Sequence, residues 1–245
     1  MNETKAVSMT FKKKLLIVLV ALVSVVAIVV TSVLATVAYL TSSAAVSNVF
    51  TVGNVGIVMN EAKVNPDGTL YDGGVTRVDT NTYHLVPNKT YLKDPTITVN
   101  AGSENSYLFC LVRNDLVEIA KNTADCPSIA TQLKNFGWAE YTTASTGKVY
   151  VYVGFADEAA KTGSLVPDNG VFATGTSVAK AVHAGNQYKL FEEFTIKEDA
   201  NVSNYGAAKI TLTAVAIQIA GFENNLDGAW EAVKAAHPYI HTGSN

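Results

Sequence analysis

Residues 39–245 predict an all-β domain, an antiparallel sandwich or barrel with short helices at its periphery. Two observations carry this. Short segments rich in Val, Ile, Thr, Tyr and Phe recur between clusters of Gly, Pro, Asn and Asp, the punctuation of strands joined by turns. Within them apolar residues alternate: Val149, Val151, Val153 and Phe155 interleave with Tyr150, Tyr152 and Gly154. That period of two predicts a strand with the first set facing a core and the second half exposed.

The chain opens differently. Lys12, Lys13 and Lys14 precede an uncharged run, 15–34, which leads to Ala35-Thr36-Val37-Ala38. A basic region, an apolar region and small exit residues predict a secretion signal over 1–38, cut between Ala38 and Tyr39. The run is also long enough to cross a bilayer as a helix, at about 1.5 Å per residue, so a retained membrane anchor is the alternative. Either way the lysines stay in the cytoplasm and the remainder is extracellular. Membrane contact is expected only through an uncleaved signal.

Strands are expected at 49–59, 96–101, 107–113, 148–155, 188–196 and 209–219. In the last, Ile210, Leu212, Ala214 and Ala216 alternate with Val215, Ile217 and Ile219. Two apolar faces predict a strand in the middle of its sheet. Asn65-Pro66-Asp67-Gly68 and Asp72-Gly73-Gly74 have the proline and glycine that tight turns require. A short helix is expected over 128–133, after Pro127. A second is expected over 228–237, capped by Asp227, stopped by Pro238, and docked on the sheet through Trp230. No linker, charge block or repeat divides 39–245, which reads as one domain.

Removing the signal leaves 14 basic against 20 acidic residues, a net charge of about −6. Such a surface has no electrostatic attraction for nucleic acid or anionic lipid. Cys110 and Cys126 are the only cysteines. In an oxidising compartment they can form a disulfide worth roughly 3 kcal/mol. The alternative is a buried thiol, because Cys110 shares a strand face with Leu108 and Val112.

Catalytic patterns are missing from the sequence. His237 and His241 are separated by Pro238, no His-Glu-x-x-His or zinc-spaced cysteine pair occurs, and no Gly-x-Ser-x-Gly or phosphate-binding glycine loop is present. These exclude the motif-based readings of zinc hydrolase, serine hydrolase and nucleotide enzyme, and no cofactor is expected. Glu61, Asp67 and Asp72 are candidate calcium ligands, but acidic residues in such turns are more often simply solvated. Asn88-Lys89-Thr90 and Asn201-Val202-Ser203 match the common glycosylation tripeptide.

Four segments, in order, carry a resemblance. They are Ala35-Thr36-Val37-Ala38-Tyr39 leading into Asn48-Val49-Phe50-Thr51-Val52-Gly53-Asn54-Val55-Gly56-Ile57; Lys93-Asp94-Pro95-Thr96-Ile97-Thr98-Val99 followed by Gly102-Ser103 and Ser106-Tyr107; Gly137-Trp138 before Tyr150 and Tyr152; and 210–222 before Ala229-Trp230. Together they resemble the TasA/camelysin family of Gram-positive bacteria. The resemblance implies a jelly-roll β-sandwich, export through a SipW-type signal peptidase, a place in the biofilm matrix or on the cell surface, and fibres built as a head-to-tail homopolymer by donation of an N-terminal strand. A peptidase activity attached to camelysin is not carried over, since neither metal ligands nor a nucleophile can be named here.

The residues themselves are compatible with donation. Val49, Phe50, Val52, Val55 and Ile57 form an apolar strand interrupted by a Gly53-Asn54 turn or bulge. A cut after Ala38 makes it a free terminus able to complete another subunit's sheet. The alternative is a monomeric surface adhesin that binds through sandwich loops, first of all 65–74.

Overall fold

A computed structural model describes residues 54–172 and 179–242, together with 13, 16, 19, 20 and 22–26. The chain divides into two units, 1–50 and 51–245. In the first, the described residues are helical, and their apolar side chains from Leu16 to Val26 are more than half exposed. No helix among the described residues is long and apolar enough to cross a membrane.

The second unit is mostly β. Its strands are β1 (Ile57–Ala62), β2 (Arg77–Val78), β3 (Thr90–Leu92), β4 (Thr96–Val99), β5 (Ser106–Asn114), β6 (Trp138–Ala144), β7 (Gly147–Tyr152), β8 (Phe155–Asp157), β9 (Thr162–Ser164), β10 (Gln187–Lys189), β11 (Glu193–Thr195) and β12 (Ile210–Gln218). All named strand pairs are antiparallel. One four-stranded sheet has the order β10-β4-β1-β2 and another the order β12-β5-β7-β6; β11-β3 and β8-β9 form two-stranded pieces.

The two larger sheets enclose one apolar cluster. Ile97 and Val99 of β4 and Tyr188 of β10 meet Leu108, Cys110 and Val112 of β5 and Tyr150 and Tyr152 of β7. The Trp138 indole N–H donates to the Lys189 carbonyl at 2.9 Å, linking β6 to β10. This is a sandwich, and its interior is lined by the tyrosines expected to be half exposed. Tyr150 and Tyr152 retain only 5% and 2% of their accessibility.

The valine face of β7 has a second cover. Val149 and Val151 pack with Phe109, Leu111 and Val215 under the C-terminal helices α2 (Leu226–Ala236) and α3 (Tyr239–Thr242), through Trp230, Val233 and Ile240. Two-sided burial explains why both faces of β5, β7 and β12 are apolar. Trp230 docks as expected, but the cap of α2 is Asn225, whose side chain accepts from the Gly228 N–H at 2.9 Å. Asp227 instead lies in the first turn and accepts from the Tyr141 hydroxyl at 2.5 Å.

The helix α1 (Ile129–Asn135) begins at its cap Ser128, near the expected position. Gly137 follows it with φ +82°, and a Cβ there would lie 3.0 Å from the Gly154 Cα. Glycine is therefore required at this corner both for its left-handed backbone and for the close approach.

Two expectations fail on topology. The 188–196 segment is not one strand, because β10 and β11 belong to different sheets and the chain bends between them. More consequentially, β12 is not central: it pairs with β5 alone among the described residues and forms the edge of its sheet. Cover on both faces made an edge strand look like an interior one.

Candidate functional site: an open strand edge and its groove

The register of β12 determines what its edge presents. The Asp115 N–H donates to the Lys209 carbonyl at 3.0 Å, and the Ile219 N–H to the Asn105 carbonyl at 2.9 Å. These ends bracket the pairing from Ile210↔Asn114 to Gln218↔Ser106, so odd-numbered residues turn their peptide groups toward β5. Ile210, Leu212, Ala214, Ala216 and Gln218 consequently turn theirs outward. The first four of these side chains pack, half-buried, at the margin of the sandwich core.

The other lateral edges are short or covered. β6 carries a bulge between Glu140 and Thr142, and Glu140 pairs with Val171: its N–H donates to the Gly170 carbonyl at 2.8 Å, and its carbonyl accepts from the Phe172 N–H at 2.6 Å. β2 and β10, at the edges of the other sheet, span two and three residues. Bulges, loops and short strands are the usual protections against edge pairing. Among the described residues, the nine-residue β12 has none of them.

Beside β12 lies a groove of about 760 Å³. Met59 and Asn60 of β1 form one wall, Ile210, Thr211 and Leu212 of β12 the other, and Tyr83 and Phe194 contribute aromatic surface. On that side of β1, among the described residues, β2 reaches only Glu61 and Ala62.

The inner end of the groove is polar. Lys93 Nζ donates to Glu61 Oε2 at 2.5 Å and Asn81 Nδ2 donates to Glu61 Oε1 at 2.9 Å. Close by, the Arg77 guanidinium bonds Asp94 Oδ2 at 2.6 Å and Asn60 Oδ1 at 3.0 Å. Burial raises the Tyr83 hydroxyl pKa, and the charges of Glu61 and Asp94 raise it further. Side chains 61 and 77 come from β1 and β2, 81 from the loop after β2, and 93 and 94 from the connection between β3 and β4, and no spacing in the sequence announces the cluster.

The residues singled out in the sequence fall as follows. Ala38, Tyr39, Val49, Phe50 and Val52 lie outside the described residues. Val55 is half-buried, and Ile57 belongs to β1, paired with Val99 and packed on the core. The Asn54 carbonyl also accepts from the Glu104 N–H at 3.1 Å. A donor strand can therefore include only residues before Asn54, because the segment after it is committed to the subunit's own sheet.

Glu61 is not grouped with Asp67 and Asp72. Those two carboxylates are occupied locally, accepting from Thr69 and Thr76 respectively, and the bonds lower both pKa values. Among the described residues no group of three or more His, Cys, Asp or Glu is placed to hold a metal ion.

Both cysteines are free thiols, Cys110 fully buried and Cys126 partly so. Burial pushes the Cys110 pKa up to about 12. At neutral pH, iodoacetamide is expected to label Cys126 in the native protein and Cys110 only after denaturation, with peptide mass spectrometry as the readout. Equal labelling of both in the native state would contradict this placement. The same shift has a sign for stability: above about pH 8.5 the unfolded thiol loses its proton while the folded one keeps it, so Cys110 disfavours folding increasingly up to about pH 12.

The chain matches no family model, no curated protein and no solved structure.

Proposed function

We propose that this chain is a secreted structural protein of the cell surface or biofilm matrix that assembles by strand donation, residues 39–53 of one copy adding to β12 of the next. The observation that carries this reading is the contrast between edges: β12 offers outward peptide groups from five residues along a nine-residue strand, while β6 is covered. In this reading 1–38 is a signal cut between Ala38 and Tyr39 by a SipW-type peptidase, and the two sheets are a jelly roll. The role is structural and uses neither catalysis nor a cofactor.

The segment is suited to the site. Fifteen residues, 39–53, extend about 50 Å at ~3.3 Å per residue, whereas the nine of β12 require about 30 Å. The remainder can bridge two subunits. Phe50 and Val52 share one alternating face and would fill the groove beside Leu212, Ala214 and Ala216, whose two alanines leave room for larger partners. Main-chain hydrogen bonds would supply affinity and the alternate side chains register. Each subunit then has one donor and one acceptor, a head-to-tail contact that need not close, so filaments result.

Electron microscopy of the secreted protein and of a variant lacking 39–53 tests the proposal. Filaments from the first and monomers from the second are expected, with filaments poisoned by an excess of the 43–53 peptide. Filaments from both would exclude donation by this segment. Monomers from both, at high concentration and in acid, would favour binding through the 65–74 loop, where Tyr71 is 57% exposed and the adjoining Val75 82%.

A further inference from the structure

The buried polar cluster at the end of the groove has the composition and geometry of a reactive centre. Glu61 retains 3% of its accessibility and Lys93 8%, and they lie against Tyr83, whose ring centroid is 5.9 Å from Lys93 Nζ. One carboxylate holds two nitrogens, Lys93 Nζ at 2.5 Å and Asn81 Nδ2 at 2.9 Å, one on each oxygen. An amine and a carboxamide are thereby held on the two oxygens of one carboxylate, the amine and carboxylate buried and the carboxamide half-buried.

The orientation of the amide is determined by its partners. Asn81 Nδ2 also donates to the Ala62 carbonyl at 2.9 Å, and Asn81 Oδ1 accepts from the Val64 N–H at 3.0 Å. An exchanged amide would face two acceptors with its oxygen and a donor with its nitrogen. The Val64 N–H therefore polarises the carbonyl and points at the oxygen on which negative charge would develop during attack at Cγ.

We propose that Lys93 and Asn81 join in an intramolecular isopeptide bond, with Glu61 as the acid–base group. Within their hydrogen bond the proton passes from Lys93 Nζ to Glu61 Oε2, which turns an ion pair into a neutral pair that is less costly to bury. The neutral amine attacks Asn81 Cγ, forming the Nζ–Cγ bond and placing the negative charge on Oδ1, beside the Val64 N–H. Glu61 mediates transfer of one Nζ proton to Nδ2, the Cγ–Nδ2 bond breaks, and ammonia leaves. The ammonia takes up the proton held by Glu61 and departs as ammonium, so the carboxylate is restored. Nothing is oxidised or reduced, and the atoms balance without a co-reactant.

The bond would close a short covalent loop between residue 81 and the junction of β3 with β4. It would secure the β1 wall of the groove in a chain whose two thiols are unpaired. This inference does not depend on strand donation, since it concerns one subunit.

Trypsin digestion of the folded, secreted protein tests it. A linked Lys93 resists cleavage, so the peptide 78–89 should be found joined to 90–113, lighter than the two unlinked peptides together by one ammonia. Fragmentation should place the link at Asn81 and Lys93. Glu61→Gln, which cannot take up the proton, should lose the link while remaining folded by circular dichroism, and Lys93→Met should lose it outright. Recovery of unlinked 78–89 with cleavage after Lys93 from folded wild-type protein, even after prolonged incubation, would make the cluster a structural ion pair and overturn the proposal. Full linkage in Glu61→Gln would overturn the role of Glu61.

Discussion

Ala214→Pro is expected to leave a folded monomer that has lost the ability to assemble. Ala214 stands opposite Cys110 in β5 and directs its N–H outward, so proline removes a hydrogen-bond donor from the open edge and none from the existing ladder. Proline is tolerated in edge strands on this side. A donor strand would lose one hydrogen bond, worth about 1 kcal/mol, and would also meet the proline ring. Together these should raise the concentration needed for filaments by more than about tenfold, since ~1.4 kcal/mol suffices for that factor. Sedimentation of filaments measures assembly, and urea denaturation confirms that the monomer is folded. Thr213→Pro supplies the contrast, because its N–H is directed at β5 and its loss should damage the fold itself. Filaments of Ala214→Pro at the wild-type concentration would show that β12 is not the acceptor.

Trp230→Ala should cause the largest loss of stability. The indole is 5% exposed, with its ring centroid 5.1 Å from that of Phe109 and 5.8 Å from that of Tyr141. Truncating a buried tryptophan in a well-packed cluster costs about 3–5 kcal/mol. Domains of this size have a total of roughly 5–15 kcal/mol, so the urea midpoint should fall by a large fraction and dye binding to the uncovered sheet face should increase. A loss below about 1 kcal/mol would mean that α2 is only loosely attached to the sheet.

Local pattern was legible wherever neighbouring residues determine the outcome. The alternation in 148–155 identifies β7, Pro127 places the short helix α1 just after it, and Trp230 identifies the helix face that docks. The cap of α2 was displaced by two residues because Asn225, and not Asp227, reaches a free N–H of the first turn. Alternation with the valines alone places Tyr150 and Tyr152 on a face expected to be half exposed. They are buried because a second sheet, with Tyr188 some forty residues downstream, closes over them.

The edge position of β12 and the Glu61–Lys93–Asn81 cluster belong to another level. Apolar character records how much of a strand's faces is covered, not whether a further strand lies beside it, so burial by α2 on one face and by the opposite sheet on the other concealed the edge. Glu61, Asn81 and Lys93 converge only because β1 folds back along β4 and the 79–85 loop returns beside it. By itself the sequence determined the strand periods, the existence of the two helices and the face of the C-terminal helix that docks, because these follow from contacts among near neighbours and from partition between water and core. Only the tertiary structure decided which strand ends a sheet, where a groove opens and which distant charges share a hydrogen bond, because chain topology brings those groups together.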